Sequence, residues 1–452
     1  MKNLVKLTAL LSVLVAVLGC IAVIDCSSDA TLGDTSSDAE IDGKQYDTLA
    51  DAVRDAKSGD TINLIAFTVV LNSQLVIDKS VQIAFSSPTY SIEIRGDFTG
   101  PGIKFTSGSS SITGNGLVKD NRTEWHPDLS GLATIAVEGH DTELEFDSKL
   151  QTSCPNSGYN TAMEVSNGAK LVLNGSSIFE YSVPSFNGKV DGVGVFGPGE
   201  DGKDNPSTLI VKGDTYISVQ GYGIFGNGSE SGTDYRYTDI EIRDGSITSS
   251  KTTGIYHPQV GTLSITGGTI TGCTGVEIRS GEIDISGDAR IIATDKEIQT
   301  LPSGNGITVG GAALAISQHT TDNDIKAVIS GGTLVGAYAL YETDLMNTDS
   351  NNISATITGG TFIGSVGSVY SKDMTGFISG GTYLKGTEES NVPDIMPDVY
   401  LTIGSGSEDD DLPPFIPQQS ADDDTTLYIA CCAAAAVVAL LAIIIVMNER
   451  KR

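Results

Sequence analysis

The chain has 452 residues, of which 53 are Gly, and its 57 acidic residues against 27 basic residues give a formal charge of −30. Because each Gly inside a helix costs about 1 kcal/mol relative to Ala, this composition argues against a mainly helical protein. The negative charge argues against nucleic acid and anionic membrane surfaces as ligands, and the 39% apolar content excludes global disorder.

The N-terminal residues have the pattern of a secretion signal. Two lysines precede an uncharged, mostly apolar stretch over residues 7–24, and Ser28 and Ala30 are small residues that suit a cleavage site. We therefore expect residues 1–30 to be a signal peptide, with an uncleaved anchor helix as the alternative.

A short helix is predicted over residues 48–58. Thr48, followed three residues later by Asp51, has the form of a capping box, and Gly59 suits the left-handed position after a helix. The apolar residues of this segment fall on one helix face: Leu49, Ala52, Val53 and Ala56. We expect this helix to cap the open end of the repeat structure that follows it.

A six-residue phrase, Ile-Thr/Ser-Gly-Gly-Thr followed by an apolar residue, recurs along the chain. Its four clearest copies occupy residues 265–270, 329–334, 357–362 and 378–383. The second glycines are separated by 28 residues from Gly332 to Gly360 and by 21 residues from Gly360 to Gly381. The phrase predicts a corner, where an apolar residue ends one short strand, glycines turn the chain, and Thr begins the next strand.

The spacing of these corners indicates a solenoid. One coil of a parallel β-helix takes roughly 20–25 residues, and stacked coils bury a continuous apolar interior. A β-sandwich is the alternative, but it favours longer strands and hairpin turns every 8–12 residues or so. We therefore predict an all-β fold, a parallel β-helix solenoid, over residues 31–403.

The opening of this region resembles a known family. Residues 43–52, Gly-Lys-Gln-Tyr-Asp-Thr-Leu-Ala-Asp-Ala, and residues 58–62, Ser-Gly-Asp-Thr-Ile, look like the start of many secreted right-handed β-helix proteins. Residues 40–403 are similar to the pectin-lyase-like superfamily, in particular to adhesin-like surface proteins of methanogenic archaea and gut bacteria. The resemblance implies a right-handed parallel β-helix on a cell surface. It does not imply an enzyme, because the superfamily contains lyases, hydrolases and binding proteins.

The C-terminal residues predict a membrane anchor. Residues 404–426 are acidic and Pro-rich, which is typical of an extended stalk. Residues 427–447 carry no charge and would span about 31 Å as a helix, enough to cross a bilayer. The basic tail, residues 448–452, should remain cytoplasmic, so we expect a single-pass cell-membrane protein whose N-terminal domain is extracellular.

No catalytic residues are predicted. The motifs that the resemblance implies for polysaccharide hydrolases and lyases are absent as a set, and Gly139-His140-Asp141 is the nearest partial match. We expect a non-catalytic, adhesin-like protein that contacts glycans or proteins through the β-helix faces and loops. A polysaccharide lyase or hydrolase and a structural spacer of the cell envelope are the alternatives.

A calcium site is the one cofactor site that the sequence suggests. Oxygen ligands clustered around a Gly suit Ca²⁺, and the candidates are Glu200, Asp201, Asp204 and Asn205. A solvated acidic turn is the alternative. The four histidines lack zinc-site spacing, and we expect them in solvated loops: His126, His140, His257 and His319.

Aromatic residues mark a candidate ligand site. Four rings lie within 16 residues and are interleaved with glycines: Tyr222, Phe225, Tyr235 and Tyr237. Such rings could stack on sugars or grip a partner, or they could pack against one another inside the fold. Trp125, the only Trp, marks a second loop of this kind.

The sequence does not decide between alternatives for N-glycosylation of its asparagines and for disulfide formation by its cysteines. Four asparagines occur in Asn-x-Ser/Thr and are candidate N-glycosylation sites: Asn121, Asn174, Asn227 and Asn352. Cys154 and Cys273 could form a disulfide or be two separate small hydrophobic residues.

Overall fold

A computed structural model of the protein describes residues 37–154, 158–180, 188–198, 203–228, 237–300, 309–318, 323–343, 352–372, 374–384 and 402–404. The predicted signal peptide, the membrane helix and the basic tail lie outside these residues, as does the stalk apart from Gly404. Among the described residues, no helix combines the length and the apolar character needed to span a bilayer.

Strands dominate the described part of the chain. The helices within the described ranges are α1 (Leu49–Asp55) and α2 (Arg122–Trp125). The strands are β1 (Ala39–Ile41), β2 (Lys44–Tyr46), β3 (Thr61–Leu64), β4 (Thr68–Leu71), β5 (Leu75–Ile77), β6 (Gln82–Phe85), β7 (Ser91–Ile94), β8 (Ile103–Phe105), β9 (Gly108–Thr113), β10 (Leu117–Asp120), β11 (Ala133–Glu138), β12 (Thr142–Phe146), β13 (Lys149–Thr152), β14 (Tyr159–Ser166), β15 (Lys170–Asn174), β16 (Ser177–Glu180), β17 (Lys189–Phe196), β18 (Ser207–Lys212), β19 (Tyr216–Val219), β20 (Ile224–Phe225), β21 (Thr238–Ile242), β22 (Ser246–Ser249), β23 (Thr253–His257), β24 (Gly261–Ile265), β25 (Thr269–Gly272), β26 (Thr274–Ile278), β27 (Gly281–Ile285), β28 (Arg290–Ala293), β29 (Gln299–Thr300), β30 (Val309–Gly310), β31 (Ala312–Ser317), β32 (Ile325–Ile329), β33 (Thr333–Thr343), β34 (Ile353–Ile357), β35 (Thr361–Ser371), β36 (Thr382–Leu384) and β37 (Thr402–Gly404).

These strands form a parallel β-solenoid with three faces, named A, B and C in the order in which each coil visits them. Face A begins with the antiparallel strands β1 and β2 and continues in parallel through β3, β6, β9, β12, β15, β18, β21, β24, β27, β32 and β34. Face B contains β4, β7, β10, β13, β16, β19, β22, β25, β28, the first parts of β33 and β35, and β36. Face C contains β5, β8, β11, β14, β17, β20, β23, β26, β31 and the second parts of β33 and β35. The parallel ladders confirm the predicted all-β solenoid and exclude the β-sandwich.

Apolar side chains stack from coil to coil to form the interior. The last residue of face A in each coil pairs with its counterpart in the next, as in the buried run Ile242, Ile265, Ile285, Ile329 and Ile357. Because side chains alternate across a strand, each short strand places one or two such residues inside and the polar residues between them outside. One continuous apolar core results from these columns.

The recurrent Gly-Gly-Thr phrase forms the corner between faces A and B, as the sequence predicts. The second glycine of the phrase has a left-handed backbone, with φ of 77° at Gly268, 83° at Gly332 and 96° at Gly360. The following Thr begins the strand on face B, since Thr269, Thr333 and Thr361 open β25, β33 and β35.

Connections at the corner between faces B and C vary far more in length. Strands β33 and β35 run from face B to face C without leaving the strand, whereas other coils have the single residue Cys273 or as many as the eighteen residues 294–311, which carry the antiparallel β29–β30 pair. By contrast, the A–B corners contain two to five residues.

The predicted N-terminal helix is present as α1. Thr48 is its N-cap, and the Thr48 side chain accepts a hydrogen bond from the Asp51 N–H at 3.1 Å. Leu49, Ala52 and Val53 are buried, and the helix contacts β1, β2 and β3. The helix ends at Asp55, three residues before the predicted end.

Candidate functional site

A groove runs along the corner between faces C and A. It has a cavity volume of about 1110 Å³, and it crosses five consecutive coils, from β21 to β34. Its lining includes Tyr237, which is one of the four aromatic residues selected from the sequence, and Asn352, which is one of the candidate glycosylation sites.

One polar side chain from each coil follows the groove. From β21 to β34, the second residue of each face A strand pairs with its counterpart in the next coil. Its side chain points outward, because side chains alternate across a strand and the residue that follows it is more deeply buried. This polar row consists of Asp239, Thr262, Glu282, Lys326 and Ser354.

Hydrogen bonds and an ion pair link members of the polar row along the solenoid axis. The Thr262 hydroxyl donates to the Asp239 carboxylate at 2.5 Å. Lys326 Nζ lies 3.1 Å from Glu282 Oε2, and both side chains are more than half exposed. An exposed pair of this kind stabilises a fold by only about 0–1 kcal/mol, so these groups remain available to exchange partners with a ligand.

Two glycines that line the groove begin their strands and add no side chain to the groove wall. Gly261 has φ of 116° and Gly281 has φ of 82°, a conformation that other residues adopt only with strain. A Cβ at Gly261 would also overlap the Thr238 carbonyl oxygen of the preceding coil. Glycine at these positions therefore allows the coils to stack closely beside the groove.

Sequence reasoning did not select the polar row, although a periodic signal was present. Each of its residues lies three positions before the apolar residue that ends face A, for example Thr262 before Ile265 and Lys326 before Ile329. Alignment of the repeats on that apolar residue would have identified the row without a structure.

Of the four aromatic residues selected from the sequence, Tyr222 and Phe225 contact each other, whereas Tyr237 lies in the groove. Tyr222, in the connection before β20, stacks on Phe225, with ring centroids 5.8 Å apart, and on Tyr256, with centroids 5.5 Å apart. Phe196 packs edge-on against Phe225 at 5.6 Å. Phe196 and Tyr256 were not selected from the sequence, because their contacts depend on coil-to-coil pairing. Tyr235 lies outside the described residues.

A pair of carboxylates lies beside these rings at the B–C corner. Glu180 accepts the Gln220 N–H at 2.8 Å, and Asp191 accepts the Tyr222 N–H at 2.8 Å. Burial raises the pKa of Glu180 to about 7 and the pKa of Asp191 to about 6, and the charge of Asp191 contributes to the raised pKa of Glu180.

The calcium prediction stays a prediction. Asp204 and Asn205 are exposed, and Glu200 and Asp201 lie outside the described residues. In the described part of the chain, no group of three or more His, Cys, Asp or Glu side chains could hold a metal ion.

The expectation of solvated histidines is wrong for His257. This residue ends β23, is 2% exposed, and contacts the Thr238 hydroxyl at 3.3 Å and the Ser280 carbonyl at 3.2 Å. Burial lowers its pKa to about 4, so the ring is neutral at physiological pH. These polar partners, Thr238 from the start of the same coil and Ser280 from the next coil, explain how a His fits at an interior position.

The candidate glycosylation sites differ in exposure. Asn121 is 4% exposed, and its Nδ2 donates to Glu93 Oε2 at 3.1 Å, whereas Asn227 is exposed. Asn174 is half-buried, and its Nδ2 donates to Glu145 at 2.9 Å. The folded chain therefore presents Asn227 to a transferase more openly than Asn121.

Cys154 is buried and Cys273 is half-buried, and these two described cysteines do not form a disulfide with each other.

No protein-family model, no curated protein and no solved structure matches the chain, so the interpretation of its sites depends on their own geometry.

Proposed function

We propose that the protein is a non-catalytic, adhesin-like surface protein that binds linear glycans in the groove along the C–A corner. The observation that carries this proposal is the polar row, which offers one hydroxyl, carboxylate or ammonium group per coil over five coils.

The spacing of the polar row suits a polymer. Adjacent strands lie about 4.8 Å apart, so each coil repeats the same type of contact at that interval along the axis. A linear glycan presents hydroxyl groups at similarly regular intervals and can lie along such a row. A small apolar ligand would instead require a concave, mostly apolar pocket.

The remaining parts of the proposal concern topology and location. We assign a right-handed parallel β-helix, since parallel crossovers are right-handed in about 98% of cases, with α1 covering its N-terminal end. We place this domain outside the cell, after a signal peptide over residues 1–30. A stalk over residues 404–426 and a membrane helix over residues 427–447 would anchor it.

A polysaccharide hydrolase is the second candidate function, because of Glu180 and Asp191. Hydrolysis of a glycosidic bond by inversion or retention uses two carboxyl groups, one of which must hold a proton near neutral pH. The raised pKa of Glu180 would meet that requirement. This pair lies at the B–C corner, away from the polar row, so binding and hydrolysis are separable by mutation.

The test is a binding and cleavage assay on the full-length protein with xylan, mannan and polygalacturonate, with and without Ca²⁺. Thr262→Arg should weaken binding at least tenfold, because the new side chain fills the groove and pairs with Asp239 and Glu282. Thr266→Arg is the matched control, since Thr266 is an exposed turn residue at the other end of the same strand. Equal binding by both variants would contradict the groove as the binding site. Release of reducing ends that Glu180→Gln abolishes would favour the hydrolase.

A further inference from the structure

An exposed tryptophan on the opposite side of the coil defines a second site. Trp125 is 62% exposed on the turn α2, in the B–C connection between β10 and β11. It is the only Trp in the chain. A large aromatic ring left in water contributes little to folding, since burial of apolar surface is what stabilises, and such rings are characteristic of contact sites.

The turn that carries Trp125 is rigidly held. The first residue of the turn, Arg122, is 0% exposed and forms a hydrogen-bonded ion pair with Asp120, with Nη2 2.6 Å from Oδ2. The same guanidinium donates to the backbone carbonyls of Phe98, Gly100 and Ala133. These bonds fix the loop on both sides of Trp125, so a ligand would find the ring already in place.

Polar groups lie on one side of the ring. The Arg95 guanidinium is centred 5.9 Å from the Trp125 ring centroid, within cation–π range, and its Nε donates to Glu93 Oε2 at 2.8 Å. Asn121 Nδ2 donates to the same Glu93 oxygen at 3.1 Å. Asn121 Oδ1 is buried with no hydrogen-bond partner among the described residues. A connected set of guanidinium, carboxylate and amide groups therefore flanks an exposed indole.

We infer that Trp125, Arg95 and Glu93 bind a neutral pyranose at the end of a glycan. The apolar face of the sugar ring would stack on the indole, and its hydroxyls would accept from Arg95 and donate to Glu93. A neutral sugar fits better than an acidic one, because Glu93 already neutralises Arg95 and the whole chain carries a charge of −30. This site is separate from the groove and does not depend on the groove binding a glycan.

The single Trp makes a direct test feasible. The full-length protein is titrated with the methyl glycosides of glucose, galactose and mannose and with methyl glucuronide, and the tryptophan emission is recorded. A saturable change is expected with at least one neutral glycoside, and a response at least tenfold weaker with the glucuronide. Absence of any saturable change with the neutral glycosides, or an equal response to the glucuronide, would overturn the inference.

Calorimetry on variants, with the glycoside that binds, measures how much each residue contributes to the affinity. Trp125→Ala and Arg95→Ala should each weaken binding at least tenfold, while Trp125→Phe should retain part of it. Tyr159→Ala is the matched control, because Tyr159 is 63% exposed on the next coil and should leave binding unchanged. Thr262→Arg should also leave this binding unchanged, which separates the site from the groove. An unaltered affinity in Trp125→Ala, with an unaltered thermal unfolding midpoint, would place the sugar elsewhere.

Discussion

The A–B and B–C corners of the solenoid both turn the chain from one face to the next, but different kinds of residue form the two turns. At most A–B corners, a short segment turns the chain through a glycine in left-handed conformation, such as Gly245 or Gly268. At the B–C corner, the connections are irregular, and buried polar pairs such as Asp120–Arg122 hold them. The repeated corner therefore maintains the stacking of coils, and the variable corner carries side chains that occur in one coil only, such as Trp125 and Arg95.

This difference has an energetic origin. A glycine turn needs no partner, so it can recur in every coil without any change elsewhere in the chain. A buried ion pair is tolerated only where several hydrogen bonds compensate for the loss of hydration, so it depends on one particular set of neighbours. The following three predictions test the contrast, starting with the largest effect.

Replacement of Arg122 by Met should be the most damaging of these changes. It would leave the Asp120 carboxylate buried without its cationic partner, and loss of one partner from a buried pair typically costs about 3–5 kcal/mol. Urea unfolding followed by circular dichroism measures the effect. Arg95→Met is the control, because that side chain is 37% exposed, and it should change the free energy of unfolding by at most about 0.5 kcal/mol. A loss below about 1 kcal/mol in Arg122→Met would show that the B–C corner does not depend on the pair.

Alanine at a left-handed glycine should distinguish the two corners directly. Gly245 has φ of 94°, and a Cβ there would overlap the Thr215 carbonyl oxygen in the preceding coil. Gly131, in a B–C connection, has φ of 70° but nothing within 4 Å of the added Cβ. We expect Gly245→Ala to destabilise by about 3 kcal/mol and Gly131→Ala by about 1 kcal/mol. Thermal and urea unfolding measure both, and equal losses would contradict the role assigned to close stacking at the A–B corner.

The smallest effect concerns pH and Asp191. Burial raises its pKa from 3.8 to about 6, so between these values the folded state holds a proton that the unfolded state has lost. The free energy of unfolding should therefore fall as pH rises through this window and stay lower above it. Asp191→Asn removes this penalty, and the variant should gain on the order of 2 kcal/mol relative to the wild type at pH 7 but not at pH 3.

The control for this pH effect is Asp284→Asn on face A, where the carboxylate is exposed and no such difference is expected. Unfolding free energies over pH 3–8 provide the measurement. A difference between wild type and Asp191→Asn that is constant with pH would contradict the burial of this carboxyl group.

The A–B corners and helix α1 could be predicted from the sequence, whereas the contacts that form the sites could not. The Gly-Gly-Thr phrase specifies the A–B corner locally, because the glycine conformation and the apolar residues on both sides lie within six residues. The helix α1 was predictable for the same reason, since Thr48 and Asp51 form its cap within one turn.

The sites depend on residues that are distant in sequence. The contact between Tyr222 and Tyr256 and the shared environment of Glu180 and Asp191 exist only after the coils have stacked. Coil length varies with each B–C and C–A connection, so the pairing of residues on face C cannot be counted along the chain, whereas the polar row of face A keeps a fixed distance from the apolar residue that ends each strand. The interior His257 shows the same limit, because its polar partners Thr238 and Ser280 lie 19 and 23 residues away in the sequence.

The direction of the ladder hydrogen bonds has a mechanical consequence. They join one coil to the next and so run along the solenoid axis, and each coil contacts mainly its two neighbours. Tension applied to the C-terminal end would therefore detach the terminal coil first and leave the others intact. A coil of 21 to 28 residues would release roughly 70–95 Å of extended chain, so the domain would yield to force in discrete steps.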